Sequence, residues 1–290
     1  MLKRTLTTIL LIPPVLYLIG WSPEWLFLLA LVAAVVLALC EFFALCRSQG
    51  LKVFPWIGYV AGAMLCVVQT FPGHVGHFVV APLLVALLLL IPTLALWQCT
   101  DLKDYLTATS VTIFGIMYIG LTLSCLVPIR FSPPSFRGPL MLGGVTVWLP
   151  VVFAGSKLLL LLFVVIWAGD ICAYLVGRSV GRTPFFSRIS PRKTWEGSLA
   201  GLAGSLLAAW GFSRWFWKPE NVKIAILLAA WIAVAGQVGD LVESAIKRGA
   251  NQKDSGSLLP GHGGFLDRID SLLFAAPALW LVLLALGSLS

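Results

Sequence analysis

The sequence predicts an all-α polytopic membrane protein of about nine transmembrane helices, with a cytoplasm-facing polar site formed by the C-terminal helices. Three observations predict it. The chain has 290 residues, is 59% hydrophobic and has a mean hydropathy of +0.97, far more apolar than a soluble domain of that length. Its apolar residues fall into successive runs of about 20, the length that crosses a bilayer as a helix. Only 11% of residues are charged, yet charge gathers between Ser244 and Asp270 with apolar runs on both sides. Ions beside lipid-spanning segments are costly and mark function by default.

Taken in order, the spans fall near 5–20, 25–44, 53–71, 78–97, 109–129, 157–177, 197–215, 224–246 and 268–288. Pro13 and Pro14 should kink or break the first, and Pro92 and Pro277 are expected as kinks in the fourth and ninth. Glu41, near one end of the second span, reads as a packing or interfacial carboxylate. His74 and His77 read as solvated loop histidines, since other ligands are lacking. Residues 131–156 read as an outer loop with an interfacial segment. The six cysteines form no CxxC pair and read as small hydrophobes. The chain divides into N-terminal helices with their outer loop, 1–150, and a C-terminal catalytic region, 151–290.

Nine spans put the termini on opposite sides. With the N-terminus cytoplasmic, that side holds 14 of the 20 Lys and Arg residues and the other side 6. The positive-inside rule selects this orientation. The net charge of +8 lies in short loops and reports orientation and anionic lipid contact rather than nucleic-acid binding.

Asp170 lies several residues inside the sixth span. It suits either a bond to Tyr174 one turn on or a place at the polar site. Five basic residues follow between Arg178 and Glu196. Arg192, Lys193 and Thr194 precede the seventh span, where side-chain charge, a hydroxyl and the helix dipole would point at the same phosphates. On the eighth span, Asp240, Ser244 and Lys247 are spaced i, i+4, i+7 and share a face. Gly249, Gly256, Pro260 and Gly261 then impose a loop. Its segment of Gly261, His262, Gly263 and Gly264 has little bulk and can offer N–H groups to a phosphate. Helix should resume near Asp267, placing Asp267 and Asp270 on one face at its N-terminus. With Asp240 opposite, three carboxylates could hold Mg2+, which takes few carboxylates plus substrate phosphates. A charged loop whose ions merely pair with each other is the plainer alternative.

The stretch resembles the signature of the phosphatidate cytidylyltransferase (CDP-diacylglycerol synthase) family. The matching residues are Ser244, Ile246, Lys247, Arg248, Lys253, Asp254, Gly256, Leu259, Pro260, His262 to Phe265, and Asp267 to Asp270. Ser190–Gly197 resembles a second block of that family, and the likeness reaches back to about Trp167. The resemblance implies transfer of a cytidylyl group from CTP to phosphatidate, giving CDP-diacylglycerol and pyrophosphate, in the inner membrane of a bacterium. Asp240, Asp267 and Asp270 would then hold Mg2+. Ser244 and Lys247 would act at the reacting phosphates. Arg192, Lys193, Thr194, Arg248, Lys253, His262, Gly263 and Gly264 would bind substrate. The partners would be CTP, phosphatidate and membrane lipid, with a homodimer as a further option. Two alternatives stay open: a CTP-dependent transferase for another lipid phosphate, and a cation-coupled transporter using Asp170 and Asp240 as ion ligands.

Overall fold

Each apolar run folds into a helix, because a helix satisfies its own backbone N–H and C=O groups where water cannot. The computed structural model describes residues 12–71, 74–131, 136–142, 145–151, 155–217, 222–256 and 263–288. After a short helical piece at 12–20, the helices are α1 (Glu24–Ser48), α2 (Pro55–Val68), α3 (His74–Gln98) and α4 (Leu102–Phe131). They continue with α5 (Gly155–Ser179), α6 (Trp195–Phe212), α7 (Val222–Gly249) and α8 (Asp270–Ser288). Helices α1, α4, α5 and α7, with Val79–Gln98 of α3, are long and apolar enough to cross a membrane. The chain is a mostly helical membrane protein with five such helices among its described residues.

The fold is not wholly α. Residues 131–156, expected as loop, contain the antiparallel strands β1 (Phe136–Leu142) and β2 (Val145–Val151), paired from Phe136↔Val151 to Leu142↔Val145. Val145, Val147 and Val151 are β-branched, which suits an extended backbone. A second hairpin pairs β3 (Pro184–Phe186) with β4 (Ser190–Thr194) and joins α5 to α6. Trp195 and Phe185 meet edge to face at 4.3 Å beside it.

Local chemistry explains the element ends. Pro55 opens α2, where its missing N–H costs nothing. Asp101 caps α4 by accepting from Lys103 N at 3.0 Å. Past α7, Gln252 N donates to Lys247 O (2.9 Å) and Asn251 N to Arg248 O (3.0 Å). With Asn251 at φ 53°, this is a Schellman cap using Asn in place of Gly.

Small residues let helices approach without a hydrophobic drive between them. A Cβ on Gly120 of α4 would stand 3.1 Å from Gly62 Cα of α2. Between α5 and α6, a Cβ on Gly201 would stand 3.1 Å from Ala173 Cβ, and Ser205 Oγ donates to Val165 O at 2.8 Å. Helices α7 and α8 close at Gly239, against Phe274. The buried core runs through α1, α4, α5, α7 and α8, so the two halves of the chain share it.

Candidate active site

Helices α5, α6 and α7, with the β3–β4 hairpin, enclose a cavity of about 820 Å³. Its charged lining is Asp170, Arg178, Arg182, Arg192, Lys193 and Asp240, and Thr194, Ser198, Gln237 and Ser271 add polar groups. Each is placed by a local reason. Lys193 is the second-last residue of β4, and Thr194, which ends the strand, caps α6 by accepting from Gly197 N at 3.2 Å. Glu196 braces the hairpin by accepting from Thr183 N (3.2 Å) and Thr183 Oγ1 (2.9 Å). Gln237 Nε2 donates to Ser198 O at 3.0 Å, locking α7 to the first turn of α6. Arg178 donates to the Tyr174 hydroxyl at 2.8 Å. Tyr174 is thus bound to Arg178, and Asp170 opens on the cavity.

One ion pair crosses this space: Lys193 Nζ lies 2.6 Å from Asp240 Oδ2, with the two side chains 28% and 32% exposed. Asp270, at the start of α8, lies within electrostatic reach of Asp240, Glu243 and Asp170, and its Oδ1 accepts from Ser271 N at 2.6 Å.

The other expected site residues fall into a second, adjoining cluster. Helix does not resume at Asp267: Leu266–Arg268 is a 3-10 turn, Ile269 leaves helical geometry at φ −120°, ψ 6°, and α8 starts at Asp270. Asp267 and Asp270 therefore share no α-helical face. Asp267 instead accepts from Lys247 Nζ (2.6 Å), Ser255 N (3.0 Å) and Gly264 N (2.8 Å). Burial works to raise its pKa, but Lys247 and the two N–H donors hold it below the ordinary carboxylate value. Lys247 is almost fully buried and also pairs with Glu243 at 2.5 Å, so both sides of its charge are occupied by carboxylates.

The expected trio is thus divided: Asp240 lines the cavity, Asp267 pairs with Lys247, and Asp270 starts α8 and accepts from Ser271 N. Among the described residues, no three His, Cys, Asp or Glu side chains converge on one ion position. Mg2+ needs only one or two carboxylates when phosphates complete its shell. Asp170 and Asp240, both lining the cavity, supply hard oxygen donors of that kind.

Ser244 is half-buried one turn beyond Asp240. Arg248 is exposed and outside the cavity, donating to Ile189 O (3.3 Å) and Gln252 O (2.9 Å), which ties α7 to the hairpin. Lys253 is exposed on the loop. Gly263 takes φ +77°, and Gly264 is buried. His262 lies outside the described residues.

Sequence reasoning missed Glu243, Gln237 and Ser198. Glu243 was detectable, since Glu at i with Lys at i+4 is a favoured helical pair. Gln237 and Ser198 carry no sequence signal that distinguishes them from other polar residues at helix faces.

A cavity between apolar helices that gathers four basic side chains, two carboxylates and a helix N-terminus has the features of a site for phosphorylated ligands. The chain matches the cytidylyltransferase family over residues 2–286 and belongs to it. It is 34% identical over 269 residues to the phosphatidate cytidylyltransferase of Synechocystis sp., covering 88% of this chain and 87% of that one. It is 47% identical over 120 residues to that of Bacillus subtilis (strain 168), covering 41% of this chain and 45% of that one. Phosphatidate cytidylyltransferase 5, chloroplastic, of Arabidopsis thaliana is 33% identical over 266 residues, covering 86% of this chain. The match spans 64% of that relative's own length.

Proposed function

We propose that this protein transfers the cytidylyl group of CTP to phosphatidate, giving CDP-diacylglycerol and pyrophosphate in phospholipid biosynthesis. The carrying observation is the 820 Å³ cavity between apolar helices, where four cationic side chains face two carboxylates in a chain of the cytidylyltransferase family.

The chemistry joins two anions, so charge neutralisation and in-line positioning dominate. Arg192 and Lys193, at the positive end of α6, bind the phosphates of CTP. A phosphatidate oxygen attacks the α-phosphorus, a new P–O bond forms, and the bond to the bridging oxygen breaks as pyrophosphate leaves. The lipid phosphate brings its own nucleophilic oxygen, so no covalent enzyme intermediate is required. Asp240 with Asp170 or Asp270 would hold Mg2+, which would supply countercharge to phosphate oxygens. Ser198 Oγ donates to Gln237 Oε1 and Gln237 Nε2 to Ser198 O, so this pair braces the cavity wall between α6 and α7.

The protein lies in an inner membrane with nine spans, its N-terminus in the cytoplasm and its cavity facing the cytoplasm. Three contacts support one shared face for the basic chain ends. Gln49 Nε2 donates to Ala250 O at 2.7 Å, Lys52 pairs with Asp104 at 2.7 Å, and Arg248 reaches Ile189. The ends of α1 and α7, the start of α4 and the β3–β4 hairpin therefore belong to one side, the side richer in Lys and Arg.

The test uses purified protein in mixed micelles with phosphatidate, Mg2+ and CTP labelled in the cytosine ring. Label should enter the organic phase with one pyrophosphate released per lipid. Chelator should stop it. Label that never becomes organic-soluble, while vesicles carrying the protein show cation flux, would replace this reading with a carrier.

A further inference from the structure

Glu41 is 8% exposed, sits two turns from the end of α1, and belongs to the half of the chain that carries no signature residue. Its contacts all reach one place 214 or more residues away. Oε2 accepts from Ser255 Oγ and from Leu266 N, each at 2.8 Å, and Oε1 accepts from Phe265 N at 2.8 Å. The loop leaves no room for anything bulkier around it. A Cβ on Gly256 would stand 2.7 Å from Glu41 Oε1, and one on Gly264 would collide with Ser255 Oγ and the Glu41 carboxylate.

Asp267 grips the same two stretches from the other side. Its Oδ2 takes Ser255 N and Gly264 N, and its Oδ1 takes Lys247. Ser255 is thus held by its hydroxyl to one carboxylate and by its N–H to the other. Three successive N–H groups, of Gly264, Phe265 and Leu266, are shared between the same two carboxylates. A packing carboxylate needs only enough donors to be tolerated. Glu41 instead takes donors from both ends of one loop, so its geometry fixes the distance between them.

We infer that Glu41 is a positioning residue for cytidylyl transfer: from the N-terminal half it clamps Ser255 to Phe265 and Leu266, setting the loop that holds Asp267 on Lys247 and places the start of α8 beside the cavity. Glu41 does not touch the cavity and is not catalytic. It acts through the loop, which leads directly into Asp270. The inference rests on the proposed transferase activity and adds to it a requirement for the first half of the chain.

Two conservative variants test it in the full-length protein. Glu41→Gln keeps the shape and presents an NH2 to one of the donors it must accept from. Ser255→Ala removes one contact and leaves both backbone N–H contacts. The readouts are kcat and KM for each substrate, and amide hydrogen exchange resolved by segment. Glu41→Gln should lower kcat by about 10- to 100-fold, the scale of groups that orient a site from behind, with KM for CTP nearly unchanged. Exchange should quicken at 263–266 and stay unchanged in α5 and α6. Ser255→Ala should show a smaller loss of the same kind, and the double variant should lose little beyond Glu41→Gln, because both remove one clamp. Glu41→Asp, one methylene short, should not restore kcat. Parental kcat in Glu41→Gln overturns the inference. So does exchange that quickens equally in all helices, since that is a general loss of packing. A parent protein that makes no CDP-diacylglycerol overturns the proposed activity instead, and exchange at 263–266 still decides whether the clamp exists.

Discussion

Replacing Asp267 by Asn separates a carboxylate that builds the site from Asp240, which we propose holds Mg2+. Asp267 accepts from Ser255 N and Gly264 N through Oδ2 and from Lys247 through Oδ1. The Asn amide oxygen can keep both N–H contacts, which turns its NH2 toward the Lys247 ammonium. The loss is then confined to Lys247. Stranding a buried charge by removing its partner costs about 3–5 kcal/mol. Lys247 is not stranded, because Glu243 remains at 2.5 Å with a side chain 1% exposed. The expected cost is therefore about 1.5–3 kcal/mol, the range for one hydrogen bond to a charged group. The pH dependence has a definite sign. The folded pKa of Asp267 lies below its ordinary value, so its stabilisation is complete above the unfolded value of about 3.9. It fades as pH falls through the folded value. Denaturant unfolding in detergent should give a parent–variant gap that is flat through neutral and mildly acidic pH and closes only below about pH 4. Turnover should fall while the Mg2+ concentration for half-maximal rate stays put, whereas Asp240→Asn should shift that concentration. Parental stability at neutral pH would refute the reasoning, as would an Mg2+ requirement that moves equally in both variants.

Lys193→Ala should raise KM for CTP by about 10- to 100-fold, the worth of a charge-assisted contact, and leave KM for phosphatidate nearly unchanged; initial rates over a two-substrate grid decide, and the reverse pattern assigns Lys193 to the lipid phosphate. Gly264→Ala should abolish turnover with helix content intact by circular dichroism, because its Cβ would meet Gly256 N at 2.7 Å as well as the Glu41 carboxylate. An active Gly264→Ala enzyme would mean that the loop relaxes freely.

The helices were legible because bilayer thickness converts directly into apolar run length, so the runs around α1, α3, α5 and α7 could be read without tertiary knowledge. The hairpins were not, since Phe136–Val151 and Pro184–Thr194 are short and flanked by loop-forming residues that hide a period of two. The signature residues were legible as a group, but not their division. Asp240, Asp267 and Asp270 lie within 31 positions of sequence, and only the break at Ile269 turns Asp267 away from the others. Glu41 was legible as an odd carboxylate in an apolar helix, but its partners lie beyond position 254, and no local pattern connects the two.

Two ion pairs of equal length show why that division matters. Lys193–Asp240 and Lys247–Asp267 both measure 2.6 Å. The first has side chains 28% and 32% exposed, where solvent screening leaves an ion pair worth about 0–1 kcal/mol. A phosphate can replace that carboxylate at little cost and release Asp240 to a cation. The second has side chains 11% and 9% exposed, and Glu243 and two backbone N–H groups complete its coordination. Exchanging it for a phosphate would strand Asp267 and Glu243 as buried anions, a cost of several kcal/mol. On the proposed function, similar ion pairs would therefore do opposite jobs: Lys193 and Asp240 would exchange partners when substrate binds, and Lys247 and Asp267 would hold the frame in which that exchange takes place.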